Sequence, residues 1–376
     1  MEPHLLYLER VRAIRESCDV LVNISGAIMD VQEAERVLRE GAADLVLLGR
    51  SLVADPFWPK KVLEGREDDI VPCIRCNNCY HIATEHFNTC CTVNPRVYRE
   101  NRVPLTLPRA QTARSVVVVG GGPAGLKAAL TAAQRGHQVT LVEQSGALGG
   151  LMIPASVGAF KEDLRRYLSY LRRQVEKSQI HVMLHTRADR ALLEHLHPDA
   201  VILAVGGRAV MPPVPGLGTS GAVQAVALLN AGLETAGTRV TILGGGSIGC
   251  ELALELAALD RMVTVVELRD KLAANGNELY RQDLMLHLEQ ETRITILTQT
   301  VCTGVTAQGC TVREKDGGTR VIPHDTFVIA AGLRADADAV EALYGVVPET
   351  YYVGDCKRAA SITEATTEAY FLGASL

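Results

Sequence analysis

The stretch Val116-Val-Val-Val-Gly120-Gly-Gly-Pro-Ala-Gly125 decides the fold class of this chain. Four consecutive branched apolar residues predict a buried strand, and the glycines after them predict a tight turn into a helix. In such a unit the first glycine permits the turn, the second lets the backbone approach a pyrophosphate, and the third lets helix and strand pack closely. Because the amino terminus of the helix then faces the phosphates, the stretch predicts a dinucleotide site.

The same pattern returns about 124 residues later, in Val240-Thr-Ile-Leu-Gly244-Gly-Gly-Ser-Ile-Gly249. In both copies a helix and a second strand follow the glycines, and the second strand ends in an acid, Glu143 or Glu267. A carboxylate at this place can bind the hydroxyl pair of a ribose. Strand, glycines, helix, strand and acid occur twice in one order, so the sequence predicts two Rossmann-like units that each bind a dinucleotide.

The composition agrees with a globular α/β protein. The chain has 376 residues, which is room for two or three domains, and 47% of them are hydrophobic. A net charge of −5 gives no sign of a nucleic-acid partner or of a membrane surface. We expect neither a leader peptide nor a membrane span, and we predict a cytoplasmic location in which the ten cysteines stay reduced.

Helix and strand patterns alternate over residues 1–70. The periodicity predicts strands at residues 19–25 and 44–48 and a helix at residues 31–40 between them, which is the rhythm of a parallel sheet. Residues 71–100 lose this periodicity, and residues 101–112, with Pro104 and Pro108, predict an ordered linker.

Five of the ten cysteines fall within residues 71–100: Cys73, Cys76, Cys79, Cys90 and Cys91. Three thiols in seven residues can wrap one face of a cubane, and a fourth from a later turn can close it. Zinc is the alternative, but its sites usually draw on two pairs of ligands on separate knuckles. We therefore predict a [4Fe-4S] cluster; spacing alone does not separate Cys90 from Cys91 as the fourth ligand.

Further motifs distinguish the two dinucleotide sites. Leu148-Gly-Gly-Leu151 follows the first site, and Tyr351-Tyr-Val-Gly-Asp355 lies near the end of the chain. Over residues 114–376 this arrangement resembles the two-dinucleotide flavoprotein disulfide reductase superfamily. The resemblance implies FAD at the first site, held by Gly120, Gly122, Gly125, Glu143, Gly150 and Asp355. It implies a nicotinamide nucleotide at the second site, held by Gly244, Gly246, Gly249 and Glu267.

The acid of the second site also bears on which nicotinamide nucleotide binds. Glu267 would repel a 2′-phosphate and therefore favours NADH. Arg269, two residues further along the chain, is positively charged, so NADPH stays an alternative. Neither nucleotide unit carries a CxxC pair, so we do not expect disulfide reductase chemistry.

The amino-terminal part narrows the resemblance. Gly49-Arg50-Ser-Leu-Val-Ala-Asp-Pro56, Val71-Pro-Cys-Ile-Arg-Cys76 and Cys91-Thr-Val-Asn-Pro95 are similar to the last barrel units and the cluster loop of the NADH:flavin oxidoreductase family that includes 2,4-dienoyl-CoA reductase and trimethylamine dehydrogenase. This resemblance selects Cys91 as the fourth ligand. It also implies an FMN phosphate at Gly26, Gly49 and Arg50, a place where βα barrels commonly bind phosphate.

The resemblance implies an NAD(P)H-dependent flavin oxidoreductase. Electrons would pass from NAD(P)H through FAD and the [4Fe-4S] cluster to FMN and an activated C=C substrate such as an enoyl or dienoyl compound. The alternative is an electron-transfer module without its own substrate site, similar to the small subunit of glutamate synthase, that serves a partner chain. No catalytic residue is assigned, and His4, Tyr7 and His81 are predicted to be surface or loop residues.

The predicted fold is α/β, with two nested Rossmann-like dinucleotide-binding domains preceded by a partial βα-barrel remnant and an iron-sulfur loop. The predicted bounds are 1–70 for the barrel units, 71–112 for the cluster loop and linker, 113–212 plus 325–376 for the FAD-binding domain, and 213–324 for the NAD(P)-binding domain. A complete barrel needs about 250 residues. We therefore expect that a second chain completes it, that the gene product is truncated, or that the strands dock on the flavoprotein module.

Overall fold

The structure is a computed structural model, and it describes residues 3–84 and 89–376. The described residues form a mixed α/β fold with parallel sheets, as predicted. The α-helices in this part of the chain are Leu8–Ser17, Val31–Arg39, Arg50–Ala54, Trp58–Leu63, Asn78–Thr84, Pro123–Gln134, Met152–Ala155, Glu162–Lys177, Arg190–Leu196, Ala225–Ala231, Ser247–Ala258, Glu278–Gln290, Ala337–Leu343 and Ile362–Ser375. None of the helices among these residues is long and apolar enough to span a membrane.

The first five-stranded sheet is built around the stretch that decides the fold. Its parallel strands lie in the order Thr350–Tyr352, Ala200–Leu203, Ser115–Val119, Gln138–Val142 and His181–Met183. The four valines of the central strand are all buried, because the sheet is covered on both faces. Helix Pro123–Gln134 packs closely along helix Ile362–Ser375 at the end of the chain.

The second five-stranded sheet repeats this plan. Its parallel strands lie in the order Ile294–Leu297, Met262–Val266, Arg239–Leu243, Thr326–Ile329 and Val223–Gln224. Thr326–Ile329 pairs with Arg239–Leu243 just as Ala200–Leu203 pairs with Ser115–Val119. The predicted boundary between residues 324 and 325 is therefore wrong, since it cuts a strand away from the sheet to which it belongs.

Two smaller sheets were not predicted. Val301–Val305, Gly309–Arg313 and Thr319–Pro323 form an antiparallel sheet. Gly207–Ala209 follows strand Ala200–Leu203, Leu333–Ala335 follows strand Thr326–Ile329, and the two short strands pair antiparallel, so the chain crosses between the two halves along adjacent paths.

In the amino-terminal segment, residues 3–70, the strands are shorter than the sequence pattern predicts. Only Asn23–Ile24 and Leu45–Val46 pair as strands, and their order is parallel. Ile24 is buried, whereas the side chains next to the strands are largely exposed, with Leu21 at 79% and Leu47 at 59%. Residues 101–112 contain no helix or strand, as expected for a linker, but helix Asn78–Thr84 was not predicted.

The amino-terminal segment docks on helix Glu162–Lys177 of the first nucleotide-binding half. Three ion pairs mark this contact, from Arg173 to Asp68 at 2.6 Å, from Lys177 to Asp69 at 2.8 Å and from Arg166 to Asp30 at 3.1 Å. These ion pairs join the two parts through charged side chains that lie outside the two short strands.

Candidate functional site

The first glycine loop has the geometry that a dinucleotide requires. Gly120 has a φ of +104°, and a Cβ on Gly125 would lie 1.8 Å from the Gly120 carbonyl oxygen. These two positions therefore admit only glycine. Gly122 ends the loop at the first turn of helix Pro123–Gln134, and Gly150 packs against it, since a Cβ on Gly150 would lie 2.8 Å from the Gly122 Cα.

The second glycine loop repeats the constraints of the first at its first and third glycines. Gly244 has a φ of +113°, and a Cβ on Gly249 would lie 1.9 Å from the Gly244 carbonyl oxygen. Gly246, by contrast, faces open space, because an added Cβ there would meet no atom within 4 Å. The middle of this loop is thus free for a ligand to approach the backbone.

The two predicted ribose acids lie beside the glycine loops. Glu143 accepts a hydrogen bond from the Gly121 N–H at 2.6 Å, and Glu267 accepts one from the Gly245 N–H at the same distance. The second carboxylate oxygen of Glu267 accepts from the Arg269 N–H at 2.8 Å. Each acid is therefore held at the mouth of its loop, where a ribose would lie.

Asp355 lies close to the first glycine loop, although about 230 residues separate them along the chain. It follows Gly354, and a Cβ on Gly354 would lie 2.9 Å from the Cβ of Ala124 in the first turn of helix Pro123–Gln134. The Asp355 carboxylate accepts from the Ala360 N–H at 3.2 Å. It is half-buried, and this burial raises the pKa of Asp355.

Four of the five cysteines line one small, partly open cavity. The cavity is lined by Cys73, Cys76, Cys79 and Cys91, together with Arg50. Burial raises the pKa of Cys73 and of Cys91 to about 12. The thiols of Cys73 and Cys91 are therefore held neutral by desolvation unless a cation joins them.

Cys90 does not line this cavity and instead accepts a hydrogen bond from the Asn78 side chain at 3.5 Å. Asn78 also donates to the Thr363 hydroxyl at 3.1 Å, and Thr363 lies 2.7 Å from the Thr92 hydroxyl. The cysteine loop is thus tied to the start of helix Ile362–Ser375, a few residues after Asp355.

The predicted phosphate residues occupy one edge of the amino-terminal segment. Gly26 and Gly49 follow neighbouring parallel strands, so the strand ends place them on the same side. The ring of Tyr7 lies against Gly26, whereas a Cβ on Gly49 would meet no atom within 4 Å. Arg50 points to the cysteine loop, where its guanidinium donates to the Asn77 side-chain oxygen.

Sequence reasoning missed a charged cluster that fixes the cysteine loop. Asp163 accepts hydrogen bonds from Arg75 and, at 3.1 Å, from His4, which also bonds to Glu33. His4 lies in a turn before helix Leu8–Ser17, in line with the prediction of a surface or loop residue, but its side chain is only 18% exposed and has two carboxylate partners. The hydrogen bond to Asp163, then that to Glu33, raises the pKa of His4 to about 9.

One signal for this cluster was present in the sequence. Asp163 falls on the same helical stripe as the buried residues Tyr167 and Leu171. A carboxylate in an apolar stripe needs a buried partner. The sequence did not reveal that the partners come from residues 4 and 75.

Both parts of the chain are similar to known protein families. Residues 114–369 match the family described as pyridine nucleotide-disulphide oxidoreductase, and residues 2–91 match the family described as dihydrouridine synthase. Bilirubin reductase from Mediterraneibacter gnavus is 33% identical over 372 residues, which cover 98% of this chain and 57% of that protein. NADH oxidase from Thermoanaerobacter brockii is 36% identical over 326 residues, which cover 85% of this chain and 50% of that protein.

The solved structure of 2-naphthoyl-CoA reductase in complex with 2-naphthoyl-CoA is also similar. It superposes with a TM-score of 0.93 at 28% sequence identity and covers 98% of this chain and 56% of that one. The chain thus spans about half the length of the relatives that it matches.

These matches define the class first: the chain belongs to the pyridine nucleotide-disulphide oxidoreductase family, whose members use a flavin and a pyridine nucleotide. With the amino-terminal match and the relatives above, it belongs within this class to the 2,4-dienoyl-CoA reductase and trimethylamine dehydrogenase family, as the sequence motifs predicted.

Proposed function

We propose that the chain is the electron-supplying part of an iron-sulfur flavoprotein reductase. In this proposal electrons pass from NAD(P)H through FAD and a [4Fe-4S] cluster to FMN and an activated C=C substrate such as an enoyl or dienoyl compound. The observation that carries the proposal is the cavity bounded by Cys73, Cys76, Cys79 and Cys91, in a chain that also has two glycine loops of dinucleotide-binding geometry.

The donor set of the cavity fits a cluster better than a single metal ion. Within residues 3–84 and 89–376, no group of three or more His, Cys, Asp or Glu side chains is arranged to hold one ion. Zinc would draw its sulfurs to within about 2.3 Å of one point. A cubane instead takes one thiolate at each iron corner, which suits thiols spread around a cavity. Binding needs reduced thiols and thus fits a cytoplasmic location.

The first loop has the features that FAD needs. Gly120, Gly122 and Gly125 keep the backbone open to a pyrophosphate, Gly150 packs on the loop, and Glu143 lies at the ribose position. Asp355 would hold the chain between the flavin ring and the phosphates. A bound flavin would accept a hydride and return electrons singly, and the protein would supply order and distance.

The second loop fits a nicotinamide nucleotide with an unmodified ribose. Gly244, Gly246 and Gly249 leave the pyrophosphate side open, and Glu267 offers its carboxylate to the ribose hydroxyls. A 2′-phosphate would meet the negative charge of Glu267, although the exposed Arg269 is nearby. We therefore propose NADH as the preferred donor.

Two observations support FMN and an unsaturated substrate. Gly49 is open toward solvent and Arg50 carries a positive charge at the edge where Gly26 also lies. The relatives named above include reductases of bilirubin and of 2-naphthoyl-CoA, both of which are conjugated compounds. The amino-terminal segment itself contributes no assigned substrate residue.

The alternative is an electron-transfer module whose substrate site lies on a partner chain. The exposed apolar side chains beside the two short strands favour this alternative, because unpartnered strand edges with apolar neighbours are sites for pairing with further strands. These residues are Val20, Leu21, Leu45 and Leu47. A second chain that supplies further barrel strands would cover them.

An anaerobic titration tests the proposal. The purified chain is analysed for FAD, FMN, iron and acid-labile sulfide, and is then titrated separately with NADH and NADPH. We expect bleaching of the flavin absorbance, with NADH effective at lower concentration, followed by reduction of the cluster. Absence of flavin bleaching with both nucleotides would overturn the proposal, whereas bleaching with FAD and cluster present but FMN absent would favour the electron-transfer module.

A further inference from the structure

Arg50 is a cation at the cysteine cavity for which no carboxylate partner is found among the described residues. It lines the cavity together with the four cysteines and is partly buried. Its guanidinium donates one hydrogen bond, to the side-chain oxygen of Asn77. Within the described parts of the chain, it forms no ion pair.

The other arginine of this loop is placed differently. Arg75 lies between Cys73 and Cys76, but its side chain is paired with the buried carboxylate of Asp163. The positive charge of Arg75 is therefore compensated by a carboxylate, whereas the charge of Arg50 faces the cavity without one. A partly buried charge is costly unless an opposite charge lies beside it.

A [4Fe-4S] cluster with four thiolates would supply that opposite charge. Such a cluster is doubly negative when oxidised and gains another negative charge on reduction. A neighbouring cation therefore stabilises the reduced form more than the oxidised form. Arginine is suited to this place because its guanidinium stays charged and offers several donors in a fixed plane.

We propose that Arg50 is the counter-charge of the cluster and a positioning residue for the loop that carries it. This inference rests on the proposed cluster. Through Asn77, which has a left-handed backbone φ of +56°, Arg50 holds the turn between Cys76 and Cys79. Through its charge it raises the reduction potential of the cluster. The remaining guanidinium donors stay available for a phosphate, so one side chain joins the edge at Gly49 to the cluster cavity.

The test compares Arg50→Gln, Arg50→Lys and the control Arg66→Gln in the purified chain with its cofactors. Arg66 is an exposed arginine of the same amino-terminal segment and pairs with Glu64. Iron and acid-labile sulfide are measured first, and the midpoint potential of the cluster is then measured by EPR during a redox titration. The readout is spectroscopic and does not depend on catalytic activity.

We expect R50Q to shift the equilibrium between the reduced and the oxidised cluster about tenfold toward the oxidised form. For a one-electron couple this lowers the midpoint potential by about 59 mV. R50K retains the charge and is expected to recover most of the shift, and R66Q is expected to match the wild type. An R50Q protein with full cluster content and an unchanged potential would overturn the inference. Loss of the cluster in R50Q but not in R50K would support it, and loss in both would overturn the assignment of a charge role.

The outcome is distinguishable from failure of the proposed function. If the wild-type chain contains no iron or sulfide, the proposed cluster itself is wrong. If the cluster is present and only the potential of R50Q is unchanged, the function stands and the role of Arg50 falls.

Discussion

The side chain of Asn277 donates a hydrogen bond to the carbonyl oxygen of Cys76 at 3.4 Å, across 201 residues of sequence. Asn277 belongs to the second nucleotide-binding half, where it caps helix Glu278–Gln290. The same half reaches its glycine loop nearby, because the Ala273 N–H donates to the Gly245 carbonyl at 2.8 Å. A short segment thus connects the second glycine loop to the cysteine loop.

Replacing Asn277 by serine should loosen the cysteine loop without removing the helix cap. Serine is a good N-cap residue but is too short to reach Cys76. Loss of one hydrogen bond corresponds to about 1 kcal/mol, or about a fivefold faster loss of the cluster to an iron chelator. The measurement is the decay of cluster absorbance under chelator. Asn275→Ser, two residues upstream, is the control, and equal decay rates in N277S and N275S would contradict the prediction.

Gly246 and Gly249 should respond differently to replacement by alanine. A Cβ on Gly249 collides with the Gly244 carbonyl, so Gly249→Ala is expected to destabilise the second half by about 1–3 kcal/mol. Gly246→Ala meets open space in the folded chain and should leave the melting temperature within about 1 °C, since it adds no strain. It should nevertheless weaken NADH binding, because the added methyl group occupies the approach of the pyrophosphate.

Melting temperature and NADH affinity, measured on the same two variants, separate these effects. Loss of NADH binding in G249A accompanies destabilisation, whereas loss in G246A occurs in a stable protein. If G246A bound NADH as tightly as the wild type, the second loop would not be the pyrophosphate site.

The parts of the fold that were predictable are those with local constraints. A glycine at residue 120 or 244 is demanded by its own positive φ, and a glycine at residue 125 or 249 by a carbonyl five residues earlier, so the loops and their acids could be read from the sequence. The strand Thr326–Ile329 was assigned to the wrong domain because its partner lies more than 80 residues earlier. The sequence did contain a signal for the correct sheet. Residues 326–329 resemble residues 200–203, and each of the two strands is followed by an alanine, Ala330 or Ala204, that packs on its glycine turn.

The contacts around the cysteine cavity were less predictable. Cysteine spacing indicates a cluster, but it carries no information on Arg50, which lies more than 20 residues before Cys73. The same holds for Asp163, whose partners His4 and Arg75 come from distant parts of the chain. Such pairs form only when distant segments dock on one another, and the periodicity of the sequence does not predict this docking.

The stability of the amino-terminal segment should fall at alkaline pH. The pKa of His4 is raised from 6.5 to about 9 by its bonds to Asp163 and Glu33. A raised pKa in the folded state gives a contribution that is fully present below pH 6.5 and is lost as the pH rises through 9. We expect a loss of about 2 kcal/mol in the free energy of unfolding between these values, somewhat below the full shift because part of the ring is exposed.

Trp58 offers a local probe for this effect. It is the single tryptophan and is buried within the amino-terminal segment. Urea unfolding, followed by the fluorescence of Trp58 at pH 6.5 and pH 9.5, gives the change in the free energy of unfolding between the two pH values. It is measured for the wild type, for His4→Gln and for the exposed control His195→Gln. The pH-dependent loss should be smaller in H4Q alone; an equal loss in all three proteins would refute the role of His4.

The adjacent cysteines 90 and 91 provide a test of the fourth cluster ligand. Cys91 is buried at the cavity with Cys73, Cys76 and Cys79, whereas Cys90 accepts a hydrogen bond from Asn78 outside it. Cys91→Ser should therefore lower iron and sulfide to a small fraction of the wild-type content, because one corner of the cubane loses its thiolate. Cys90→Ser should retain the full content of iron and sulfide, since serine can still accept a hydrogen bond from Asn78.

FAD content, which depends on the separate loop at Gly120, should stay unchanged in both variants and shows that each variant is folded. Full cluster content in C91S with loss in C90S would reverse the assignment, and loss of FAD together with the cluster would mean that Cys91 is needed for folding rather than as a ligand.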